Sequence, residues 1–169
     1  MLNFGILTVS DKGSRGQRYD ESGLTIRERI SLLDSRVVKY EIVPDELNII
    51  TGKLTEWADE GNVDVILTTG GTGLGPRDIT PEATLDAVDR VVPGLAETMR
   101  AETFQKTPFA ILSRAVAGVR GKCLIINLPG STKAVRECLE VILPVIPHAV
   151  EIIKGEVTEH SNEPGKESG

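Results

Sequence analysis

Residues 63–84, VDVILTTGGTGLGPRDITPEAT, carry the parts of one supersecondary unit in a single stretch. Val63 to Thr68 is a short apolar run rich in β-branched side chains and predicts a strand. A turn containing Gly70, Gly71, Gly73 and Gly75 follows at once. Thr80, Pro81 and Glu82 then predict a helix start. Threonine is a good N-cap, proline at the first helical position gives up an N–H that has no partner there anyway, and the acid meets the positive end of the helix dipole. Strand, glycine turn, helix is the repeating unit of α/β proteins, so its recurrence elsewhere in the chain decides the fold.

It recurs in both directions. Upstream, Phe4 to Val9 predicts a strand ending at Ser10 and Asp11, followed by a polar loop, DKGSRGQRYDESG. Ile26, Ile30 and Leu33 at i, i+4, i+7 predict a helix from about Ser22 to Leu33, and a strand from Val37 to Val43 is closed by Pro44. Leu47, Ile50, Leu54 and Trp57 place a second helix over Glu46–Asp59. Downstream, the helix opened at Thr80 is expected to run to about Val91. Pro93-Gly94 breaks it, and another helix is expected from Leu95 to Gln105. Ala115 to Arg120 and Cys123 to Asn127, separated by Gly121, predict an antiparallel hairpin. A last helical region carries Val135, Cys138, Ile142 and Val145 on one face, with Pro144 and Pro147 bending it. The expected fold is a three-layer α/β/α sandwich whose sheet is mostly parallel, with an antiparallel hairpin. It forms one domain over residues 1–154, and the polar residues 155–169 are expected to be a flexible tail.

Composition narrows the function classes. The net charge of -6 and a pI near 5.0 argue against a reader of nucleic-acid backbones. Aromatic residues at 4% supply few platforms for stacked bases, so no nucleic-acid partner is expected. No apolar run reaches the roughly 20 residues needed to cross a bilayer, so no membrane partner is expected either. The N-terminus meets Asp11 without a preceding basic segment and reads as a strand, not a signal peptide. Cys123 and Cys138 lack zinc spacing and read as small buried hydrophobes, which suits a reducing cytoplasm.

In sheets of this kind ligands bind beyond the carboxyl ends of the strands. Four polar or glycine-rich segments fall there: Ser10-Asp11-Lys12, Pro44-Asp45-Glu46, Thr69 to Asp78, and Asn127 to Lys133. The glycines of the third allow backbone N–H groups to face an anion, although a tight strand-to-helix connection would use them as well. A P-loop is excluded, because no lysine lies between Lys53 and Lys106. A dinucleotide fingerprint is broken by Pro76. Asp45 and Asp78 suit a Mg²⁺ ion in phosphoryl or nucleotidyl transfer, or else serve as turn and capping residues. Arg77, beside both the glycine turn and Asp78, is the best-placed candidate cation for phosphate. Ser131 can bind phosphate or cap the following helix.

TTGGTGLGPRDITPEAT, with Pro44-Asp45-Glu46 and SDKGSRG upstream and ILSRAVAGVRG and LIINLPGSTKAVREC downstream, closely resembles the MoaB/MogA family of molybdenum-cofactor biosynthesis proteins. The likeness covers nearly all of residues 4–154. The resemblance implies a cytoplasmic nucleotidyltransferase that uses ATP and Mg²⁺ to adenylylate molybdopterin, with release of pyrophosphate. It implies catalytic, metal-holding roles for Asp45 and Asp78. Substrate contacts would come from Ser10, Asp11, Thr69, Gly70, Gly71, Thr72, Gly73, Arg77, Asn127, Pro129, Gly130 and Ser131. It further implies a homotrimer or homohexamer, and a molybdenum-insertion protein as a partner. A non-catalytic molybdopterin-binding member of the same family is the alternative, and a regulatory nucleotide-binding module is a third reading. Retention of both aspartates favours the enzyme.

Overall fold

The computed structural model describes residues 1–157. Four strands, β1 (Leu2–Val9), β2 (Ser35–Val43), β3 (Val65–Thr69) and β6 (Cys123–Leu128), run parallel in the order β2-β1-β3-β6. On the far side of β6, β5 (Ala117–Arg120) pairs antiparallel with it, and β4 (Arg90–Val91) pairs antiparallel with β5. The expected mostly parallel sheet with an antiparallel hairpin is therefore present, with one short edge strand added.

All five residues of β3 are buried, because helices cover both faces of the sheet; an apolar run without alternation is what that environment selects. On one face Phe4, Ile6, Leu67 and Ile126 pack against α2 (Glu21–Ile30), α5 (Pro93–Phe104), α6 (Thr132–Ile142) and α7 (Ile146–Lys154). On the other, Leu7, Ile66 and Ile125 meet Ile50, Leu54 and Trp57 of α3 (Leu47–Asp59) and Ala83 and Ala87 of α4 (Thr80–Ala87). Each fully buried Ile or Leu contributes about 2 kcal/mol to holding the layers together.

Three details depart from the sequence expectation. The helix opened at Thr80 stops at Ala87, not Val91, because Val88 turns extended and the edge of the sheet captures the chain: Asp89 N–H donates to Val119 O at 2.8 Å and Val92 N–H to Ala117 O at 2.8 Å. Pro93 does not break a helix but starts α5 at its first position, where its missing N–H costs nothing. Thr80 is not the N-cap. Ile79 occupies that position with no side-chain cap, and the Thr80 hydroxyl instead donates to Gly70 O at 2.9 Å. A further short helical turn, α1 (Asp11–Ser14), forms inside the first loop, capped by the Ser10 hydroxyl accepting from Gly13 N–H at 2.9 Å. Helix α7 ends at Lys154 with Gly155 left-handed at φ 74°, and residues 158–169 of the expected tail lie outside the described residues. Among the described residues no helix is long and apolar enough to cross a membrane.

Cys123 and Cys138 are both buried. Burial pushes the Cys123 thiol up to about 12 and the Cys138 thiol up to about 11. Neither is therefore a nucleophile near neutrality, since the thiolate is the reactive form. In native protein at pH 8, a disulfide-exchange reagent such as dithionitrobenzoate is expected to label less than a tenth of a thiol per chain within minutes. In denaturant it is expected to label both.

Candidate functional site

The chain leaves β1 toward β2 on one side and leaves β3 toward β6 on the other, so the connections diverge between the carboxyl ends of β1 and β3. A crevice at such a switch point is the usual ligand site of a parallel sheet. Here it holds a cavity of about 740 Å³. Its floor is the two strand ends, Val9 and Ser10 from β1 and Thr69 and Gly70 from β3. Gly70 lies at φ 96°, and a Cβ there would stand 2.3 Å from the Val9 carbonyl oxygen; Gly71, at φ 69°, would put its Cβ 2.3 Å from the Thr80 hydroxyl. Only glycine allows the two strand ends and the helix start to converge this closely. Gly71 lines the cavity, and among the described residues its N–H donates to no protein acceptor, which leaves it available to an anion.

Asp45, from the β2–α3 loop, and Asp78, from the β3–α4 loop, both line the cavity. One oxygen of each carboxylate is engaged: Asp45 Oδ2 accepts from Asp11 N–H at 2.9 Å, and Asp78 Oδ2 accepts from Gly75 N–H at 2.8 Å. Burial raises the Asp45 carboxyl above the usual range, and the neighbouring charges of Asp11 and Asp78 push in the same direction. The rim thus brings two carboxylates together, and the ionised form of Asp45 is disfavoured there, a condition that a divalent cation relieves. Among the described residues no group of three or more His, Cys, Asp or Glu forms a metal cage. Two carboxylates completed by phosphate oxygens and water are nonetheless the coordination Mg²⁺ usually takes, so the residues fit that ion when it arrives with a nucleotide.

On the third side, Gly130, Ser131 and Thr132 bring the start of α6 to the cavity. The Ser131 hydroxyl caps this helix, accepting from Ala134 N–H at 3.2 Å. Its helix-capping role is thereby established, and the helix N-terminus carries the partial positive charge that favours a phosphate.

Other residues expected at the site stand behind it. The Arg77 guanidinium is spent on the rim: Nε donates to Asp11 Oδ2 at 2.6 Å, and Nη2 to Asp11 Oδ1 at 3.0 Å and to Asp45 O at 3.1 Å. That pairing holds the Asp11 carboxyl below its usual range, and Asp11 in turn accepts from Asp45 N–H at 3.0 Å. Asp11 and Arg77 brace Asp45; neither lines the cavity. Thr72 is buried and gives its carbonyl to Arg114 N–H, while Gly73 gives its carbonyl to Arg114 Nε, so both form the underside of the glycine turn. The Pro129 carbonyl accepts from the Thr69 hydroxyl at 2.6 Å, tying β3 to the start of the last loop.

Asn127 is the clearest correction. It is fully buried, with Nδ2 donating to the hydroxyls of Thr68 at 3.0 Å and Thr84 at 2.8 Å, while Oδ1 accepts from Val116 N–H at 3.2 Å. It joins β3, α4 and the β5 approach and does not line the cavity. The alternation along β6 carried the signal: Cys123, Ile125 and Asn127 share the face turned toward α3 and α4. Asn127→Ala, which leaves the half-buried Val116 N–H without its acceptor and the buried Thr68 and Thr84 hydroxyls without their amide donor, is expected to cost about 2 kcal/mol in urea unfolding.

One wall of the cavity escaped the sequence reading. The Asp20 carboxylate lines it and accepts from the Thr8 hydroxyl at 2.8 Å, from Gly23 N–H at 3.0 Å and, closely, from the Tyr40 hydroxyl. Burial, and then Asp20, push the Tyr40 phenol upward, so Tyr40 stays a donor. Asp three residues before Gly23 was a readable N-cap for α2, but nothing in the sequence said that β1 and β2 would also aim hydroxyls at it.

A mostly parallel sheet with a glycine-floored, acid-rimmed crevice at its switch point and a capped helix end on the third side defines an α/β protein with a candidate site for a phosphate-bearing ligand. The chain belongs to the family described as probable molybdopterin binding domain, whose model matches residues 5–148. A molybdopterin adenylyltransferase of Helicobacter pylori strain J99 is 47% identical over 156 residues, covering 91% of this chain and 89% of that one. The crystal structure of the molybdopterin biosynthesis enzyme MoaB from Thermus thermophilus superposes with a TM-score of 0.87 at 57% identity, covering 92% of this chain and 98% of that one. The tungsten cofactor synthesizing protein MoaB from Pyrococcus furiosus superposes with a TM-score of 0.82 at 38% identity, covering 90% and 97%.

Proposed function

We propose that this chain is a molybdopterin adenylyltransferase that acts in molybdenum-cofactor biosynthesis with Mg²⁺ and ATP. The observation that carries this reading is the meeting of Asp45, Asp78, the Gly70–Gly71 turn and the amino end of α6 around one cavity. An oxygen of the molybdopterin phosphate attacks the α-phosphorus of ATP; the new P–O bond forms as the bond to the bridging oxygen breaks, and pyrophosphate leaves with that oxygen. Asp45 and Asp78 would hold Mg²⁺, which when bound neutralises phosphate charge. Such a reaction asks the protein mainly for positioning and electrostatic stabilisation. The Gly71 N–H and the first amides of α6 supply donors to phosphate oxygens without adding mobile charge. Asp11 and Arg77 fix Asp45, and Asn127 keeps the floor strands in register with α4.

The curated relative from H. pylori, named for this activity and aligned over most of both chains, supports the assignment. We place the reaction in the cytoplasm, carried out by a homotrimer or homohexamer that passes its product to a molybdenum-insertion protein. Purified protein incubated with Mg²⁺, ATP and molybdopterin is expected to yield adenylyl-molybdopterin by mass analysis, with one pyrophosphate per product. Binding of molybdopterin without any adenylylated product would make the chain a carrier and not an enzyme.

A further inference from the structure

The glycine turn projects Leu74, Gly75, Pro76 and Arg77 into solvent, so little apolar packing holds it in shape. Its two ends are instead gathered by a single side chain from outside the loop. Arg114 Nε donates to Gly73 O at 2.9 Å, Nη2 donates to Asp78 O at 2.6 Å, and Nη1 is paired with the Glu82 carboxylate. The backbone joins in, with Arg114 N–H donating to Thr72 O at 2.8 Å. Arg114 does not line the cavity, and its partners span the turn from its third residue to the first turn of α4.

A planar guanidinium can hold two carbonyls and a carboxylate at fixed angles at once; an ammonium cannot. Each peptide unit is planar and trans, so turning the Gly73 carbonyl toward Arg114 turns the Leu74 N–H the other way. Holding the Asp78 carbonyl fixes the backbone from which the Asp78 carboxylate reaches the cavity. We infer that Arg114 is a positioning residue for the transfer reaction: it sets the glycine turn and Asp78 in the arrangement that receives the metal-bound triphosphate, and Glu82 keeps the guanidinium in place. This rests on the adenylyltransferase reading. It deepens that reading by adding a residue that touches no substrate.

The test compares wild type, Arg114→Ala, Arg114→Lys and Glu82→Gln in pyrophosphate release at varied Mg²⁺, alongside amide hydrogen exchange of residues 72–79. Arg114→Ala is expected to lower kcat about 100-fold, the scale of a small misplacement of a reacting group. It is also expected to raise the Mg²⁺ concentration needed for half-maximal rate by about tenfold, because Asp78 is no longer held where the cation sits. Arg114→Lys is expected to recover less than a tenth of the lost rate, and Glu82→Gln, which leaves both carbonyl bonds, to stay within about fivefold of wild type. Exchange at 72–79 is expected to quicken at least about tenfold in Arg114→Ala while the sheet amides keep their protection. Wild-type kcat and Mg²⁺ dependence in Arg114→Ala would overturn the inference even with the transferase reading intact. If wild type itself forms no product, the transferase reading fails and the positioning role falls with it, whereas unchanged exchange at 72–79 in Arg114→Ala beside an active wild type would overturn the positioning role alone.

Discussion

Asp78→Asn is expected to lower the rate of pyrophosphate release about 1,000-fold with almost no loss of stability, the scale found when one preorganised electrostatic contact to a transferring group is removed. The stability half follows from the bonding. Among the described residues its side chain accepts one hydrogen bond, from Gly75 N–H to Oδ2 at 2.8 Å, and an asparagine oxygen accepts that bond equally well. The activity half follows from charge. Asparagine is neutral and a poor ligand for a hard cation, so the site keeps its shape and loses half of its metal-directed charge. Asp45→Asn is expected to behave similarly in rate but to differ in stability. The Asp45 carboxyl is raised in the folded protein, chiefly by burial. A carboxyl whose folded value lies above its unfolded value favours folding in its protonated form, and that contribution is lost as pH rises through the folded value. Above that folded value the ionised Asp45 opposes folding, and there the neutral amide is expected to unfold at the same or a higher temperature than wild type. Such an outcome, an inactive but no less stable variant, marks a residue kept for chemistry at the expense of the fold. Asp78→Asn with unchanged pyrophosphate release would remove Asp78 from the reaction.

The layering was legible because its signals are local. The apolar run at Val63–Thr68 and the 3.6-residue spacing of Ile50, Leu54 and Trp57 each state their own environment, and the two faces of the sheet follow from them. The rim was legible for Asp45, Gly70, Gly71, Asp78 and Ser131, since each follows a strand end in a segment with more glycine or acid than a plain turn needs. Less legible was the distinction between residues that line the cavity and residues that hold the ones that do. Arg77 read as a free cation beside a glycine turn, whereas Asp11, 66 residues away in sequence, consumes its charge. Asn127 stood in a family-like segment, but the parity of β6 sends it inward to hydroxyls on β3 and α4. Asp20 went unnoticed because its partners, Thr8 and Tyr40, come from two other elements. Sequence spacing reports which face a residue occupies. It does not report long-range pairing, and in this site long-range pairing separates the cavity-lining residues from their supports.

Gly70→Ala is expected to be the most destabilising single-methyl change in the site, at about 4 kcal/mol, and to abolish turnover where the protein still folds. Two independent costs meet there. The φ of 96° lies in a region that alanine enters only with strain. The added Cβ would also stand 2.3 Å from the Val9 carbonyl oxygen, a backbone atom that cannot swing aside as a side chain can. Relief requires β1 and β3 to part at their carboxyl ends, where Thr8 pairs with Thr69 and the cavity has its floor. The Thr80 hydroxyl bond to Gly70 O and the Gly70 N–H bond to Leu128 O would be displaced with them, so the start of α4 and the end of β6 move as well. Gly130→Ala is the control. Its Cβ would sit 3.5 Å from the Gly70 Cα, an ordinary contact, and its φ is not positive, so less than about 1 kcal/mol is expected. Urea unfolding of both variants beside wild type separates the two costs from a general intolerance of the loops. Equal midpoints for Gly70→Ala and Gly130→Ala would mean that the strand ends give way freely, and the cavity floor could not then be the rigid platform on which the phosphates are held.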